Sequence, residues 1–466
     1  MDWPIREWIE AVKGRLVAGS LETRIQGVST DSRTISPGQA FVALKGPKFD
    51  GHDFCGEAIN RGAIALIVAD PSVPLRDLSV PVGAPSGVAV IAVEDTLKAL
   101  GRLAATYRGG FSPMVGALSG SSGKTTAKDI LRLMIEPTGG LVTHGNLNNL
   151  IGVPLMVFRL EPSHKTAVFE LAMNQPGELA ELTEIVRPEI VALTNIGSAH
   201  RGNFPSHEAL RAAKAELIVH SPPDAIAVLN ADCYDCALVA QEYCTGRDIA
   251  TFGIQAPAHF RAEQIEPVSP VGYRFDLVHP EGRQTVTLSA FGGYNIYNVL
   301  CAAAIGYLLE APLDDIYAGI EAFRPASLRS EVIQLGRVTV IADCYNANPE
   351  SVEAAIDGLA EFAGSRRCVF VFADMLEQGD DAEMAHRMVG QTVAERRIDL
   401  FATTGDLAAW ASWEAGRMGV RSGHFETKEA LAQALLPEIR PGDVVLVKGS
   451  RLMALEDVIE RLRESL

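Results

Sequence analysis

Residues 117–130 read ALSGSSGKTTAKDI, and within them Gly120, Ser121, Ser122, Gly123, Lys124, Thr125 and Thr126 have the chemistry of a phosphate cradle. Glycines let the backbone turn so that successive N–H groups face an anion, and a following helix adds its positive N-terminal end. Lys124 would reach the outer phosphates of a nucleotide, and the Thr125 hydroxyl would coordinate Mg2+. The spacing is the short form G-x-x-G-K-T, because position 118 is Leu. A mere turn is the plainer alternative. The apolar MVGAL before the loop and the helical pattern after it favour the cradle. Such a loop could hydrolyse a nucleotide to drive motion, phosphorylate a metabolite, or activate a carboxylate for joining to an amine. No N-K-x-D guanine-reading motif follows, which argues against a GTPase.

Three further positions could join that chemistry. The run TAVFEL puts Glu170 at a strand end where a motor or GTPase would carry Asp. The next run, IVALTNIGSAH, ends near Asn195 and carries His200 five residues on. Glu, Thr and His suit Mg2+ or Mn2+. Each of Glu170 and His200 could equally be a cap or a hydrogen-bonded loop residue. Their shared place at the lip of one sheet with Lys124 favours metal. Lys214 lies in SHEALRAAKAELIVH, a helical pattern in which Ala212, Ala213 and Ala215 leave it uncrowded. From this segment alone it reads as a solvated helix lysine.

These side chains need a scaffold, and the chain is long enough to supply one. Its 466 residues fit about three domains. The first, residues 1–110, mixes helices with the short strands AFVAL, AIALIV and VAVIAV, and contains the Pro/Gly-rich SVPLRDLSVPVGAPSG. The second, 111–325, has MVGALS, TAVFEL, IVALTNI and AIAVLN separated by helical segments. Near-continuous apolar strands alternating with helices predict a parallel sheet covered on both faces. The third, 326–466, repeats the pattern with VTVIADC, RCVFVFAD, LFATTG and DVVLVKGS. The fold class expected is α/β, with a central P-loop parallel-sheet domain, a Rossmann-like C-terminal domain and a smaller N-terminal α/β domain. Ligands belong at the carboxyl ends of the strands.

Composition narrows the function. A net charge of −17 with no basic run argues against broad nucleic-acid binding. No apolar run approaches the ~18 residues of a membrane span. Charges in MDWPIREWIEAVKGRL interrupt any signal-peptide core, so a cytoplasmic protein is expected. Seven scattered cysteines read as reduced thiols. Cys233 and Cys236 form a C-x-x-C, but no second Cys or His pair follows at zinc spacing, and two incidental thiols near a turn are expected.

Taken together, G-x-x-G-K-T, strand-end Glu170, the N-x-x-x-x-H of Asn195–His200 and the A-K-x-E at Lys214 resemble the Mur ligases, ATP-dependent amide-forming enzymes of peptidoglycan precursor synthesis. The resemblance covers essentially the whole chain. GNLNNLIGVP (145–154), DCYNANPES (343–351), DMLEQG (374–379), KGSRLMALE (448–456) and STDSRTISPGQAFVALKGPKFDGHDF (29–54) are most similar to members that add D-alanyl-D-alanine to UDP-N-acetylmuramoyl-tripeptide.

The resemblance implies a mechanism. ATP would phosphorylate the terminal carboxylate of the substrate to an acyl phosphate, and the incoming amine would displace phosphate. Lys124 and Mg2+ would neutralise charge on the γ-phosphoryl group. Thr125 would hold one Mg2+, and Glu170 with His200 a second. Lys214 matches a lysine that is carbamylated in related ligases, a reaction that needs a neutral amine. Asn295 and Asn298 would contact adenine, Arg329 a phosphate and Asp343 the ribose. Asp31, Ser32 and Arg33 would hold the UDP end. Asn146, Asn148 and Asn149 would hydrogen-bond the substrate. Tyr345, Asn346, Asn348, Lys448, Ser450 and Arg451 would shape the share of the third domain, which presents the dipeptide. A monomer that closes around its substrates is expected.

Some positions depart from the pattern. Tyr294 stands where His is common, Ala172 and Ala373 where Gly is common, Ala342 where Asp is common, and Leu328 replaces a Gly before the arginine. Alanine at a glycine position matters only where φ must be positive. A sister ligase or a folylpolyglutamate-type ligase would share the middle domain, but YNANP and the N-terminal DSR weigh against both. A Mur-like binding subunit without activity would be expected to lack Lys124, Glu170 or Lys214, and none is lost.

Overall fold

Apolar runs without an internal proline become the buried strands, and the Gly-, Pro- and Asn-rich stretches between them become turns. The computed structural model describes residues 3–69, 87–198 and 201–466. His200 and nearly all of the Pro/Gly-rich loop 72–87 therefore lie outside the described residues.

The protein is α/β, with three principal sheets. The first holds β1 (Arg15–Ala18), β2 (Gly27–Ser29), β3 (Gln39–Val42), β4 (Ala65–Val68) and β5 (Ala89–Ala92) in the order β1-β5-β4-β3-β2. Only β1 runs antiparallel. Helix α1 (Thr96–Arg108), capped by the Asp95 side chain on the N–H groups of Leu97 and Lys98, leads out of it.

The second sheet has nine strands. In chain order come β6 (Met114–Ser119), α2 (Lys124–Ile135), β7 (Leu141–Val142), β8 (Thr166–Glu170), β9 (Ile190–Leu193) and α3 (His207–Val219). There follow β10 (Ile226–Asn230), α4 (Tyr234–Tyr243), β11 (Ile249–Gly253), β12 (Phe260–Pro267), β13 (Tyr273–His279), β14 (Gly282–Leu288) and α5 (Tyr294–Leu308). The strand order is β14-β13-β12-β11-β10-β9-β6-β8-β7. The strands from β7 to β12 pair in parallel as expected. The antiparallel extension β12-β13-β14 was not expected. Its strands alternate buried with exposed residues, the pattern of a sheet wet on one face, and continuous apolar runs do not reveal such strands.

Two cores flank this sheet. Leu118, Val168, Ala192 and Val228 pack with α2 and α5 on one face. Ala117, Phe169, Val191 and Leu193 pack with α3 on the other. Alternate residues of each strand thus serve opposite layers.

The third sheet holds β15 (Glu331–Leu335), β16 (Val338–Asp343), β17 (Cys368–Ala373), β18 (Leu400–Thr404), β19 (Ser422–Phe425) and β20 (Val444–Lys448). Its order is β15-β16-β20-β17-β18-β19, antiparallel only at β15. Helix α6 (Pro349–Ala363) starts with Pro at its first position and a reciprocal Asn348–Ser351 capping box. Contacts tie this unit to the second sheet. Glu350 accepts from the Ser198 N–H at 2.7 Å and hydroxyl at 3.0 Å, and Tyr273 donates to Glu361 at 3.0 Å.

Candidate active site

Register sets the site. Glu170 on β8 pairs with Leu118 on β6, and Leu193 on β9 pairs with Ser119. Three carboxyl ends therefore finish in step, with the loop 120–123 rising from the middle one. Two glycines permit its path. Gly120 has φ 147°, and a Cβ there would stand 2.0 Å from Thr194 Oγ1. Gly123 has φ 80°, and a Cβ there would stand 2.1 Å from Asn298 Oδ1. No L side chain fits either position.

The next strand end holds the loop. Thr194 donates to the Ser122 carbonyl at 2.6 Å. Asn195 Oδ1 accepts from the N–H groups of Ser121 at 3.2 Å and Ser122 at 2.9 Å, while its amide donates to Ser122 Oγ at 2.6 Å. Ser121 Oγ accepts from Gly197 N–H at 2.8 Å. Two amides of the cradle are thus occupied by Asn195, a polar stand-in for an anion. Thr126 follows in the first turn of α2, partly exposed.

Two lysines meet beneath the loop. Lys124 Nζ donates to the Gly120 carbonyl at 2.5 Å, and Lys214 Nζ reaches the same oxygen from α3 at 3.2 Å. Lys214 is 1 % exposed, not solvated as its segment alone implied. Burial and the neighbouring Lys124 charge push its pKa well below the ordinary lysine range. Burial also lowers that of Lys124, with Glu170 opposing and Arg329 reinforcing the shift.

Glu170 is equally buried, at 1 % exposure. Its Oε1 accepts from Thr125 Oγ1 at 3.1 Å and Asn148 Nδ2 at 2.8 Å. Its Oε2 is buried without a hydrogen-bond partner. An orphaned carboxylate oxygen beside a threonine hydroxyl fits a hard divalent cation that draws its remaining ligands from phosphate and water.

The third unit faces this cluster. The Arg329 guanidinium lies 3.7 Å above the Tyr345 ring, a cation–π contact that fixes its plane. Asp343, at the end of β16, accepts from Ser330 N–H at 3.0 Å and from Lys448 Nζ at 2.6 Å. Parallel pairing sets Asp343 opposite Lys448 at the ends of β16 and β20. Tyr294, one of the departures from the family pattern, hydrogen-bonds Ser330 at 2.6 Å and continues the same network. A cleft of about 660 Å3 opens between the units, lined by Thr125, Lys128, Arg132, Asn146, Arg329 and Tyr345 among others.

Several expected ligands are engaged within the protein. Asn148 is bound to Glu170, and Asn149 Oδ1 accepts from Ile151 and Gly152 N–H. Asn295 donates to the Phe291 carbonyl and accepts from Asn298, which lies against Gly123. Asn348 caps α6, Ser450 Oγ accepts from Leu376 N–H, and Arg451 pairs with Glu456. Asn346 is exposed, with its carbonyl taken by Lys448. Asp31, Ser32 and Arg33 follow β2 in the first unit. Arg33 clasps Asp31 through two bonds of 2.9 and 2.7 Å and holds its carboxyl down at about 2, while Ser32 donates to Glu57.

Sequence reasoning missed Thr194, and it gave Asn195 only as part of a motif; a T-N pair directly after a buried strand was the available signal. It also missed Lys128 and Arg132, which α2 places one and two turns beyond Thr125. Of the departures, Ala172, Ala342 and Ala373 have negative φ and carry no strain, whereas Leu328 sits at φ 62°.

Comparison with known proteins matches this arrangement along the chain. Family profiles match residues 24–108 ("Mur ligase family, catalytic domain"), 118–306 ("Mur ligase middle domain") and 328–451 ("Mur ligase, glutamate ligase domain"). A protein of Escherichia coli named UDP-N-acetylmuramoyl-tripeptide--D-alanyl-D-alanine ligase is 38% identical over 95% of this chain and 94% of its own. The Bacillus subtilis protein of that name is 32% identical over 99% and 98%. Among solved structures, a MurF crystal structure from Acinetobacter baumannii superposes with a TM-score of 0.89 at 32% identity, covering 100% of this chain and 99% of that one. A Thermotoga maritima MurF ligase in complex with ADP gives 0.81 at 27% identity, covering 94% and 97%.

Proposed function

The chain belongs to the Mur ligase family, and we propose that it joins D-alanyl-D-alanine to UDP-N-acetylmuramoyl-tripeptide at the expense of ATP, giving the pentapeptide, ADP and phosphate. The observation that carries this reading is the meeting of Lys124, Lys214, Thr125 and Glu170 around one phosphate loop, across a cleft from Arg329.

A carboxylate resists attack by an amine, so it must first gain a leaving group. Lys124 holds the transferring phosphoryl group and Arg329 approaches it from the third unit, so charge developing in transfer meets two cations. Thr125, the free oxygen of Glu170 and His200 are the residues that would hold Mg2+, which when bound would supply positive charge for the γ-phosphoryl group. When phosphate enters, Asn195 releases the amides of Ser121 and Ser122 to it. Once the acyl phosphate forms, the neutral amine of the dipeptide adds to its carbonyl and phosphate leaves. Water must be excluded while it waits, and the Ser198–Glu350 contact closes the third unit over the second for that purpose.

Lys214 has two features of a lysine that takes up CO2: complete burial and an amine biased to the neutral form. As a carbamate it would turn a repelling cation beside Lys124 into an attracting anion. Asn295 and Asn298 border the adenine side, Asp343 the ribose, and Asn146 the substrate path. In the third unit, Tyr345 positions Arg329 and Lys448 positions Asp343. Asp31, Ser32 and Arg33 bind the UDP end, provided Arg33 exchanges Asp31 for a diphosphate. Domains of 1–110, 111–325 and 326–466 match this division of labour. Supply of ATP and a nucleotide-linked precursor places the reaction in the cytoplasm. No described helix is long and apolar enough to cross a membrane.

Phosphate release from ATP and Mg2+ tests the reading. Release should require both UDP-muramoyl-tripeptide and D-alanyl-D-alanine and yield the pentapeptide by mass. Release with another amino donor alone would correct the substrate, and a folded, ATP-binding protein that releases none would overturn the enzyme.

A further inference from the structure

One reactive pair has no part in the ligation chemistry. Cys233 is the N-cap residue of α4, and Cys236 lies in its first turn, three residues on and therefore on the same face. Cys236 is fully buried, while Cys233 is partly exposed. The Cys233 sulfur accepts from Ile196 N–H at 3.5 Å and lies 3.8 Å from the Ile196 carbonyl. Ile196 directly follows Asn195, whose side chain holds the phosphate-loop amides.

We propose that Cys233 and Cys236 form a reversible oxidation site, at which a peroxide converts the dithiol to a disulfide and loosens the Ile196 anchor behind the phosphate loop. This revises the expectation of two incidental thiols. Cys233 stands at the N-cap in extended conformation, and its sulfur already hydrogen-bonds the Cys236 thiol, so the two sulfurs are close before oxidation. Forming the S–S bond removes the Cys233 S–H directed at the Ile196 carbonyl and draws on the sulfur that accepts from Ile196 N–H.

The chemistry balances. The Cys233 thiolate attacks one oxygen of hydrogen peroxide, the O–O bond breaks, and hydroxide leaves and takes a proton as water. The sulfenic acid formed is attacked by the Cys236 sulfur, which gives up its proton; the S–O bond breaks, the S–S bond forms, and a second water leaves. Both sulfurs are oxidised and the peroxide is reduced. A dithiol reductant reverses the step by exchange.

Reactivity is graded in the right sense. The Cys236 thiol and Ile196 N–H hold the Cys233 pKa down at about 6, although burial and Asp235 oppose them. Asp235 is itself engaged by His207 at 2.8 Å and Arg211 at 3.3 Å. Burial pushes the thiols of Cys55 and Cys368 up to about 11, and those of Cys301 and Cys344 up to about 12. At neutral pH the thiolate needed for attack is therefore concentrated at Cys233.

The test treats the intact protein with hydrogen peroxide and needs no activity assay for its first readout. Mass spectrometry should show loss of two hydrogens, mapped to the peptide with Cys233 and Cys236 and restored by dithiothreitol. Cys236→Ser should trap a dimedone-reactive sulfenic acid at Cys233, and Cys233→Ser should show neither product. Equal alkylation of Cys233 and the buried cysteines, with no linked peptide, would overturn the site. The coupling rests on the proposed ATP reading and has its own readout. Oxidation should weaken binding of a fluorescent ATP analogue several-fold in the natural protein and leave Cys233→Ser unchanged. A disulfide that forms without altering nucleotide affinity would overturn the coupling, and absence of nucleotide binding even when reduced would instead contradict the ATP reading.

Discussion

Lys124 and Lys214 donate to one backbone oxygen, the carbonyl of Gly120, at 2.5 and 3.2 Å. Two buried ammonium groups at one acceptor repel each other, so the site favours loss of one charge, and Lys214 is the more depressed. Its folded pKa lies below its unfolded value, so its burial costs stability at low pH. That cost is relieved as pH rises from the folded value toward the ordinary lysine value of 10.5. Lys214→Met should therefore gain stability over the natural protein near neutral pH, and the gain should shrink as pH climbs. Urea denaturation across that range measures it. A gain that grows with pH would show that the folded lysine keeps its proton.

Glu170→Gln should separate stability from turnover. It removes a buried carboxylate whose Oε2 has no partner, so the fold should be as stable or more so. Turnover with Mg2+ should fall about 100-fold or more, because the carboxylate that would hold the cation against the reacting phosphate is lost. Thermal unfolding and steady-state rates on the same preparations check this. Equal loss of both would mark Glu170 as a structural residue.

Asp343 and Lys448 form a largely buried ion pair of the third unit at 2.6 Å, with side chains 15% and 3% exposed. Asp343→Leu alone should cost about 3 kcal/mol, because Lys448 stays buried and unpaired. Adding Lys448→Met should recover most of the loss, since a buried pair is often replaceable by apolar residues. A double-mutant cycle in urea reads the coupling, and additive losses would contradict it.

Much of this was legible in the sequence because it depends on short-range pattern. MVGALS before G-S-S-G-K-T marked a strand, loop and helix, and β6 and α2 occupy those places. Asn348, by contrast, was read as a site residue, and its use as the cap of α6 appears only in the structure. Other features depend on distant residues that nothing local identifies. Lys214 looked solvated because its alanine neighbours hide how closely α3 packs under Gly120, 94 residues away in the chain. β12 to β14 went unseen because one face of each is wet. The grip of Asn195 on the loop depends on β9 lying next to β6, which is a fact of topology.

Glu350 clasps Ser198 across the two units. Glu350→Ala should open the molecule without unfolding it, raising the radius of gyration in small-angle scattering before nucleotide is added. Nucleotide and UDP-substrate together should then restore compactness. An unchanged profile in the variant would show that this contact does not hold the units closed.

The central claim is that a carboxylate is activated as an acyl phosphate beside Lys124. Tripeptide labelled with 18O in its terminal carboxylate tests it most directly. Each turnover should transfer one labelled oxygen to inorganic phosphate, since the C–O bond breaks when the dipeptide amine displaces phosphate. Unlabelled phosphate alongside pentapeptide formation would mean that ATP is hydrolysed by water and that the amide forms by another route.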